Sequence, residues 1–206
     1  MADLVGHDHA LRTTSCDVIA GVDEAGRGCL AGPVVAGAVV LPDRWCPEGL
    51  DDSKKLSESR RNRLYKEIVE GALCWGAFAV SAARIDQINI LRASLEAMAG
   101  AVSLLGRTPD LVLIDGPHAP NIDHPTRTII GGDSRSAAIA AGSIIAKVTR
   151  DNLMLQLDER WPGYGFAAHK GYGAAVHLEA LKSLGACPIH RRSCRPVADL
   201  DQGTLW

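Results

Sequence analysis

Aromatic side chains are scarce in this chain: they make up 4% of its 206 residues, whereas hydrophobic residues as a class make up 47%. The core therefore has to be built from valine, isoleucine, leucine and alanine. Because small side chains let backbones approach closely, we expect the helices to pack near the sheet. The hydrophobic fraction is large enough to offset the conformational entropy lost on folding, which argues against intrinsic disorder.

Patterned cysteines and long apolar runs are also missing. The six cysteines include no Cys-x-x-Cys pair, and no pair of histidines completes a zinc pattern, so neither metal–thiolate nor redox chemistry is implied. No stretch of about 18 uncharged apolar residues exists, and the first residues carry acids and histidines where a signal peptide has an apolar core. We therefore expect a soluble, cytoplasmic protein with no membrane span and reduced cysteines.

A strong net charge is absent as well, since 22 basic residues face 24 acidic ones. This balance argues against a nucleic-acid partner, because proteins that bind nucleic acids are usually basic. The average hides an uneven distribution, for residues 134–195 contain nine basic and four acidic side chains. Such a segment is more often a solvated face than a binding surface, and both interpretations stay open at this point.

No repeat or low-complexity linker divides the chain, so we expect one domain over residues 1–206, with flexible tails at residues 1–15 and 196–206. Short β-branched runs next to glycine or proline predict strands, and apolar residues three or four apart predict helices. The predicted strands are residues 18–22, 34–41, 73–80, 111–114 and 126–130, and the predicted helices are residues 57–70, 91–105, 134–157 and 174–184. Their alternation predicts an α/β fold with a central mixed sheet flanked by helices.

Carboxylates follow three of the predicted strands. Asp23 and Glu24 follow the first strand, Asp115 follows the fourth, and Asp133 comes shortly after the fifth. Any one of them alone is most simply a turn former, and Asp133 could cap the next helix. Four carboxylates brought together would repel one another unless cations neutralise them, and oxygen ligands suit Mg²⁺ or Mn²⁺. The pattern predicts two such ions about 4 Å apart, the usual arrangement for displacement at phosphorus.

Asp23 and Glu24 pose a geometric problem, because adjacent strand residues point to opposite faces of a sheet. Both can bind the ions only if the strand ends or twists at this point, which Gly26 and Gly28 favour. The same glycines invite a rival interpretation, since Gly-x-Gly-x-x-x-Gly after a strand loosely matches a dinucleotide-binding loop. However, Pro33 and a second β-branched run follow where that fold requires a helix. A binding protein without catalysis is a second alternative, but clustered carboxylates would repel its phosphates.

Five segments together resemble type 2 ribonuclease H, the bacterial ribonuclease HII family. In chain order they are GVDEAGRG, LDDSKKLS, LIDGP, GGDSRSAAIAAGSIIAKVTRD and HKGYG. The resemblance spans nearly the whole chain and implies a ribonuclease H-like fold with a C-terminal helical extension. It also implies hydrolysis of the RNA strand of RNA–DNA hybrids, and incision 5′ of single ribonucleotides in duplex DNA that leaves 3′-OH and 5′-phosphate ends. The implied biological setting is DNA replication and ribonucleotide excision repair.

Site residues follow from the same resemblance. Asp23, Glu24, Asp115 and Asp133 match the four metal-binding, catalytic carboxylates. Gly26, Arg27 and Gly28 match the motif that reads the 2′-OH at the junction between ribonucleotide and deoxyribonucleotide, and Tyr172 matches a tyrosine that stacks on the neighbouring sugar. The chain departs from the family pattern at two positions, Cys29 where proline is expected and Gly142 where alanine is expected. Neither departure touches the chemistry, although both are expected to loosen the local structure.

Other residues are weaker candidates for substrate contacts. Ser53, Lys54 and Lys55 could form only a polar turn, yet a hydroxyl and two ammonium groups also suit a phosphate of the uncut strand. His169 and Lys170 are similar candidates. We expect Lys147, which lies in an apolar run, to be paired with a carboxylate of the active site, because an unpaired buried charge is costly.

The end of the sequence carries a short pattern: Gln202, then Leu205, then the aromatic Trp206. It resembles the peptides by which bacterial replication and repair proteins dock on the sliding clamp, in which two apolar anchors enter a preformed pocket. The alternative is that the last two side chains fold back on the core. Both hypotheses stay open.

Overall fold

The structure, a computed structural model, describes residues 4–201 of the chain. Its strands are β1 (Ile19–Ala25), β2 (Val34–Val40), β3 (Cys74–Val80), β4 (Leu111–Asp115) and β5 (Thr126–Ile129). Its helices are α1 (Leu4–Leu11), α2 (Glu58–Gly71), α3 (Ala82–Ile88), α4 (Ile90–Ser103), α5 (Ala137–Arg160), α6 (Phe166–His169), α7 (Ala175–Leu184) and α8 (Arg195–Asp201). The strand order is β3-β2-β1-β4-β5. Because β1 runs antiparallel to β2 and parallel to β4, the mixed sheet flanked by helices is confirmed.

Alternate side chains of β1 enter two different cores, one on each face of the sheet. Ala20 and Val22 pack in the core formed with α4. Gly21 faces α5, since a Cβ atom on Gly21 would lie 2.0 Å from the backbone carbon of Ala138. Helix α5 therefore lies almost directly on the strand, as the wealth of small residues predicted. Asp23 follows Gly21 on this face of β1 by the two-residue period of a strand.

Cys29 and Gly142, the two residues that depart from the family pattern, are both tightly packed. A Cβ atom on Gly142 would lie 2.9 Å from the carbonyl oxygens of Gly21 and Gly37, so glycine lets α5 approach both central strands. Cys29 is buried, and its Sγ lies 3.8 Å from the carbonyl oxygen of Lys170. The expected loosening of the structure is not met at either position.

Helix α5 begins three residues later than predicted. Residues Gly132–Ser134 form a separate turn of 3₁₀ helix, and the N-cap of α5 is Ser136, whose hydroxyl accepts a hydrogen bond from Ile139 N. Asp133 therefore does not cap the helix, and the alternative that explained its carboxylate in this way is wrong. A second acceptor at this helix end is Asp8, which accepts from Ala138 N at 2.8 Å.

Parts of both predicted tails form helices. Within residues 1–15, Leu4–Leu11 forms α1, held to α5 by the buried Asp8, because a carboxylate is stabilised at a helix N-terminus. Within residues 196–206, helix α8 continues to Asp201 and buries Val197. Helices α3 and α6 were also missed, since 7 and 4 residues are too few for a clear periodic pattern. Gln202, Leu205 and Trp206 lie outside the described residues.

The dinucleotide-binding alternative is wrong. After the glycine-rich loop the chain enters strand β2 at Val34, and β2 pairs antiparallel with β1. A pyrophosphate site would need a helix N-terminus at this point. Between residues 4 and 201, none of the helices has the length and apolar character needed to cross a membrane.

Candidate active site

Three aspartates meet where β1, β4 and the turn after β5 come together. Asp23, Asp115 and Asp133 each offer a carboxylate oxygen within 4.8 Å of the others. The parallel pairing of β1 with β4 places the first two side by side, and Gly132 N donates to Asp115 Oδ1 at 2.7 Å, which ties the turn to the strand. Asp23 is 2% exposed and Asp133 is 8% exposed. The structure thus brings together three of the four predicted carboxylates.

The cluster holds its negative charge at a high electrostatic cost. Burial raises the pKa of Asp23 well above its ordinary value, and the carboxylates of Glu24 and Asp115 raise it further. Burial also raises the pKa of Asp133, together with Asp52 and Asp115. Each shift means that the charged form is disfavoured in the protein without a cation.

One oxygen of the cluster, Asp23 Oδ2, is buried and has no hydrogen-bond partner. A buried acceptor in this state costs about 1–3 kcal/mol, and more when it is charged. Three carboxylates around an unsatisfied oxygen are the donor set of a hard divalent cation such as Mg²⁺ or Mn²⁺. The residues present therefore fit the predicted metal.

Lys54 supplies a positive charge beside the cluster, with its Nζ 3.7 Å from Asp133 Oδ2. Burial by itself would lower the pKa of Lys54, but four carboxylates together outweigh that effect and raise the pKa: those of Asp23, Asp133, Asp52 and Asp115. The side chain is largely exposed.

Glu24 lies beside the three aspartates but is not one of the group. Its Oε1 lies 3.2 Å from Arg27 Nη1, and burial raises its pKa while Arg27 lowers it. The condition for both acids to bind the same ions was that β1 ends or twists at this point, and the strand ends at Ala25, one residue after Glu24. Asp115 raises the pKa of Glu24 as well, so the Glu24 carboxylate interacts electrostatically with the cluster.

A cleft of about 290 Å³ is lined by Glu24, the neighbour of Asp23, and by Lys54, which contacts Asp133. Its lining includes Glu24, Gly26, Arg27, Gly28, Ser53, Lys54, Ser143, Lys147 and Tyr172. The Tyr172 side chain is 44% exposed, and its ring centroid lies 5.9 Å from both Lys147 Nζ and Arg150 Cζ. The Lys147 ammonium pairs with Asp151 at 2.7 Å, one helical turn away, so the predicted pairing with an active-site carboxylate is wrong.

The weaker candidates differ in how far their side chains are already engaged. Ser53 is buried with its hydroxyl 2.8 Å from that of Ser143, and Lys55 Nζ lies 3.4 Å from Asp51. His169 Nε2 contacts the carbonyl of Tyr164, and its Nδ1 accepts from Gly171 N. Lys170 Nζ donates to the carbonyl of Ala167. Substrate contacts by these four residues stay predictions.

Sequence reasoning missed two arginines, Arg150 and Arg191, which lie beneath the Gly26–Gly28 loop. Arg150 could have been noticed, because it is a charge on a helix otherwise built to lie on a sheet. Arg191 had no such signal, because it follows the last predicted helix in a segment without periodicity.

Also missed was the buried pair His177 and His190, whose Nε2 atoms lie 3.0 Å apart. His177 Nδ1 contacts the carbonyl of Tyr172 at 2.8 Å, so the pair supports the loop that carries this tyrosine. Burial lowers the pKa of His190 to about 4, and it lowers that of His177 too, which keeps both rings neutral near pH 7.

Comparison with known proteins gives a consistent result. The family model described as Ribonuclease HII matches residues 20–196. The chain is 55% identical over 175 residues to the ribonuclease HII of Ruminiclostridium cellulolyticum, which covers 85% of this chain and 69% of that protein. It is also 55% identical over 180 residues to the ribonuclease HII of Nitrosococcus oceani, and this alignment covers 87% of this chain and 89% of that protein.

Two solved structures share the fold. The ribonuclease H2 of Pyrococcus horikoshii OT3 superposes with a TM-score of 0.75 at 25% identity, over 90% of this chain and 97% of that one. The ribonuclease HII in the complex with PCNA from Archaeoglobus fulgidus superposes with a TM-score of 0.70 at 26% identity, over 86% and 95%. The ribonuclease H-like fold expected from the resemblance is confirmed.

Proposed function

Because the chain belongs to the ribonuclease HII family, and is therefore an endonuclease that degrades RNA in RNA–DNA hybrids, we propose that it also incises duplex DNA beside single ribonucleotides. The cut falls on the 5′ side and leaves 3′-OH and 5′-phosphate ends. One observation carries the proposal: Glu24, the neighbour of Asp23, and Lys54, which contacts Asp133, line the same cleft as Gly26, Arg27, Gly28 and Tyr172. Chemistry and ribose recognition thus share one site.

The aspartates Asp23, Asp115 and Asp133, with Glu24 beside them, would hold Mg²⁺ or Mn²⁺. When bound, two such ions supply a metal-activated water as nucleophile and stabilise the charge that develops on the phosphate and the leaving 3′-oxygen. The protein's own contribution is to hold the carboxylates in place, and a bound cation would favour their charged form. Lys54, which is exposed beside Asp133, supplies a cation for a substrate phosphate.

Selection of RNA over DNA rests on the 2′-OH, the one group that a ribose has and a deoxyribose lacks. Gly28 leaves open space at the cleft, since nothing lies within 4 Å of a Cβ atom built on it. A sugar can therefore approach the backbone of the loop, and the exposed Tyr172 lines the same cleft. In the cell we assign the enzyme to the removal of ribonucleotides from DNA during replication and repair, in the cytoplasm.

The test of this function is a nicking assay on a duplex DNA with one ribonucleotide. We expect a single cut at that position with Mg²⁺ or Mn²⁺, and none with EDTA or on the same duplex without the ribonucleotide. Cleavage of a continuous hybrid but not of this duplex would limit the activity to RNA–DNA hybrids. Cleavage in EDTA would overturn the role of the aspartates.

Replacing Tyr172 by alanine should weaken cleavage at a single ribonucleotide by about tenfold more than cleavage of a continuous hybrid. The single junction offers only one 2′-OH, so recognition there depends on each contact with that sugar. The control is Tyr172→Phe, which keeps the stacking ring and should retain the wild-type ratio of the two rates. Equal losses on both substrates would mean that the ring only supports its loop.

We also propose that the C-terminal pattern of Gln202, Leu205 and Trp206 docks on a sliding clamp. The relative from Archaeoglobus fulgidus was solved as a complex with PCNA, which supports a clamp as partner. A variant that ends at Asp201 should keep its nuclease activity on short duplexes and lose micromolar binding to the clamp, the range expected of a short peptide with few anchors. Unchanged clamp binding after truncation, or none with the intact chain, would contradict the proposal.

A further inference from the structure

Two fully buried arginines lie beneath the loop that carries Gly26, Arg27 and Gly28. Arg150, on α5, is 0% exposed, and Arg191, which follows α7, is 1% exposed. In the part of the chain that the structure describes, neither guanidinium has a carboxylate as hydrogen-bond acceptor; their donors go to backbone carbonyl groups instead. A buried cation is costly unless its donors are satisfied, so this arrangement needs a reason.

The carbonyl groups that satisfy the two guanidiniums belong largely to the glycine-rich loop. Arg191 donates to the carbonyl oxygens of Gly26 at 2.6 Å, Arg27 at 2.8 Å and Gly32 at 2.9 and 3.0 Å. Arg150 donates to Pro33 at 2.9 Å and Ala31 at 3.1 Å, and it also reaches the Lys170 carbonyl at 2.8 Å. Hydrogen bonds to the two buried guanidiniums thus hold both ends of the loop, Gly26 and Arg27 at one end and Ala31 to Pro33 at the other.

Glycine at position 26 makes room for this arrangement. Its φ is +97°, and a Cβ atom there would lie 2.0 Å from Arg150 Nε. A side chain at position 26 would displace the guanidinium and strain the backbone.

The inward carbonyl groups determine where the N–H groups point. In a planar trans peptide the C=O of one residue and the N–H of the next point in opposite directions. Because the carbonyl groups of Gly26 and Arg27 point to Arg191, the N–H groups of Arg27 and Gly28 must point away from it. Among the described residues these two N–H groups have no backbone or side-chain acceptor, and Gly28 borders open space in the cleft.

We propose that Arg150 and Arg191 are positioning residues that present the N–H groups of Arg27 and Gly28 to the ribose at the cleavage site, and so set the discrimination of ribonucleotide from deoxyribonucleotide. This inference rests on the proposed function. It assigns to Arg150 and Arg191 the role of holding rigid the loop that contacts the ribose. Two buried cations behind the loop also make this wall of the cleft attractive to phosphate. Arg191→Lys tests the inference, because lysine keeps the charge but cannot hold three carbonyl groups in one plane.

The measurement compares binding of two duplexes in EDTA, one with a single ribonucleotide and one of DNA alone. For the wild type we expect the ribonucleotide to tighten binding by about tenfold, the worth of one or two hydrogen bonds. In Arg191→Lys the ratio should fall to near one, while the affinity for DNA alone changes less than about threefold. Cleavage of the single-ribonucleotide duplex should show a raised KM with a smaller change in kcat.

A matched control is Arg12→Lys, since Arg12 is a half-buried arginine that also donates to backbone carbonyl groups, those of Asp17 and Leu41, far from the cleft. It should retain the wild-type ratio. A wild-type ratio in a folded Arg191→Lys would overturn the inference while leaving the nicking assay, and with it the proposed function, untouched. If the wild type does not cut the single-ribonucleotide duplex, the proposed function itself fails.

A second measurement needs no variant and so does not depend on folding of the mutant. In ¹⁵N-labelled wild-type protein, the amide resonances of Arg27 and Gly28 should shift when the duplex with one ribonucleotide is added, and shift much less with DNA alone. Identical shifts with both duplexes would mean that these N–H groups do not meet the 2′-OH, which would overturn the proposal.

Discussion

Replacing Asp115 by asparagine is expected to reduce cleavage by about a thousandfold or more, with the melting temperature unchanged or slightly raised. Asparagine keeps the shape of the side chain and removes the charge that helps to hold divalent cations. Asp115 raises the pKa of both Asp23 and Asp133, so its carboxylate repels its neighbours in the absence of metal. Removing that repulsion relieves an unfavourable interaction in the metal-free protein.

The measurement pairs a nicking assay in saturating Mg²⁺ with thermal unfolding in EDTA. Asp123→Asn is the control, because Asp123 is an exposed acid in the loop between β4 and β5 and lies outside the cluster. It should cleave at the wild-type rate. Turnover near the wild-type level by Asp115→Asn would remove Asp115 from the catalytic group.

Replacing Gly21 by alanine is expected to destabilise the protein by about 3 kcal/mol, because the new methyl group has no space. Its Cβ atom would lie 2.0 Å from the backbone carbon of Ala138 and 2.2 Å from Ile139 N. These are backbone atoms of α5, which cannot turn aside as a flexible side chain could, so the whole helix must move off the sheet. For a chain of this size, the loss corresponds to a melting temperature lower by roughly 6–12 °C.

Activity should fall with stability in this variant, because α5 carries Ser143, whose hydroxyl lowers the pKa of Asp23. Gly106→Ala is the matched control: a Cβ atom on Gly106 would meet only Cys74, at 4.0 Å, and this variant should melt within about 2 °C of the wild type. A melting temperature of Gly21→Ala equal to that of the control would mean that α5 adjusts without cost.

The position of Gly142 shows the same tight packing from the helix side. Glycine there lets the helix backbone approach the carbonyl oxygens of both β1 and β2. From the sequence, this residue was only a departure from the alanine expected in the family. Its structural role became clear only when the strands opposite it were known.

The sequence alone determined what depends on neighbouring residues. The β-branched runs predicted all five strands, because strand periodicity acts within a few residues. The placement of acids at strand ends predicted the cluster of Asp23, Asp115 and Asp133. These signals are local, and parallel strands then bring their ends together.

The tertiary structure decided what depends on distant pairs. The docking of α1 follows from the hydrogen bond between Asp8 and Ala138, which lie 130 positions apart. Arg191 holds Gly26 across 165 positions of the chain. No periodic pattern encodes such contacts, because each forms only when the sheet has already brought the two segments together.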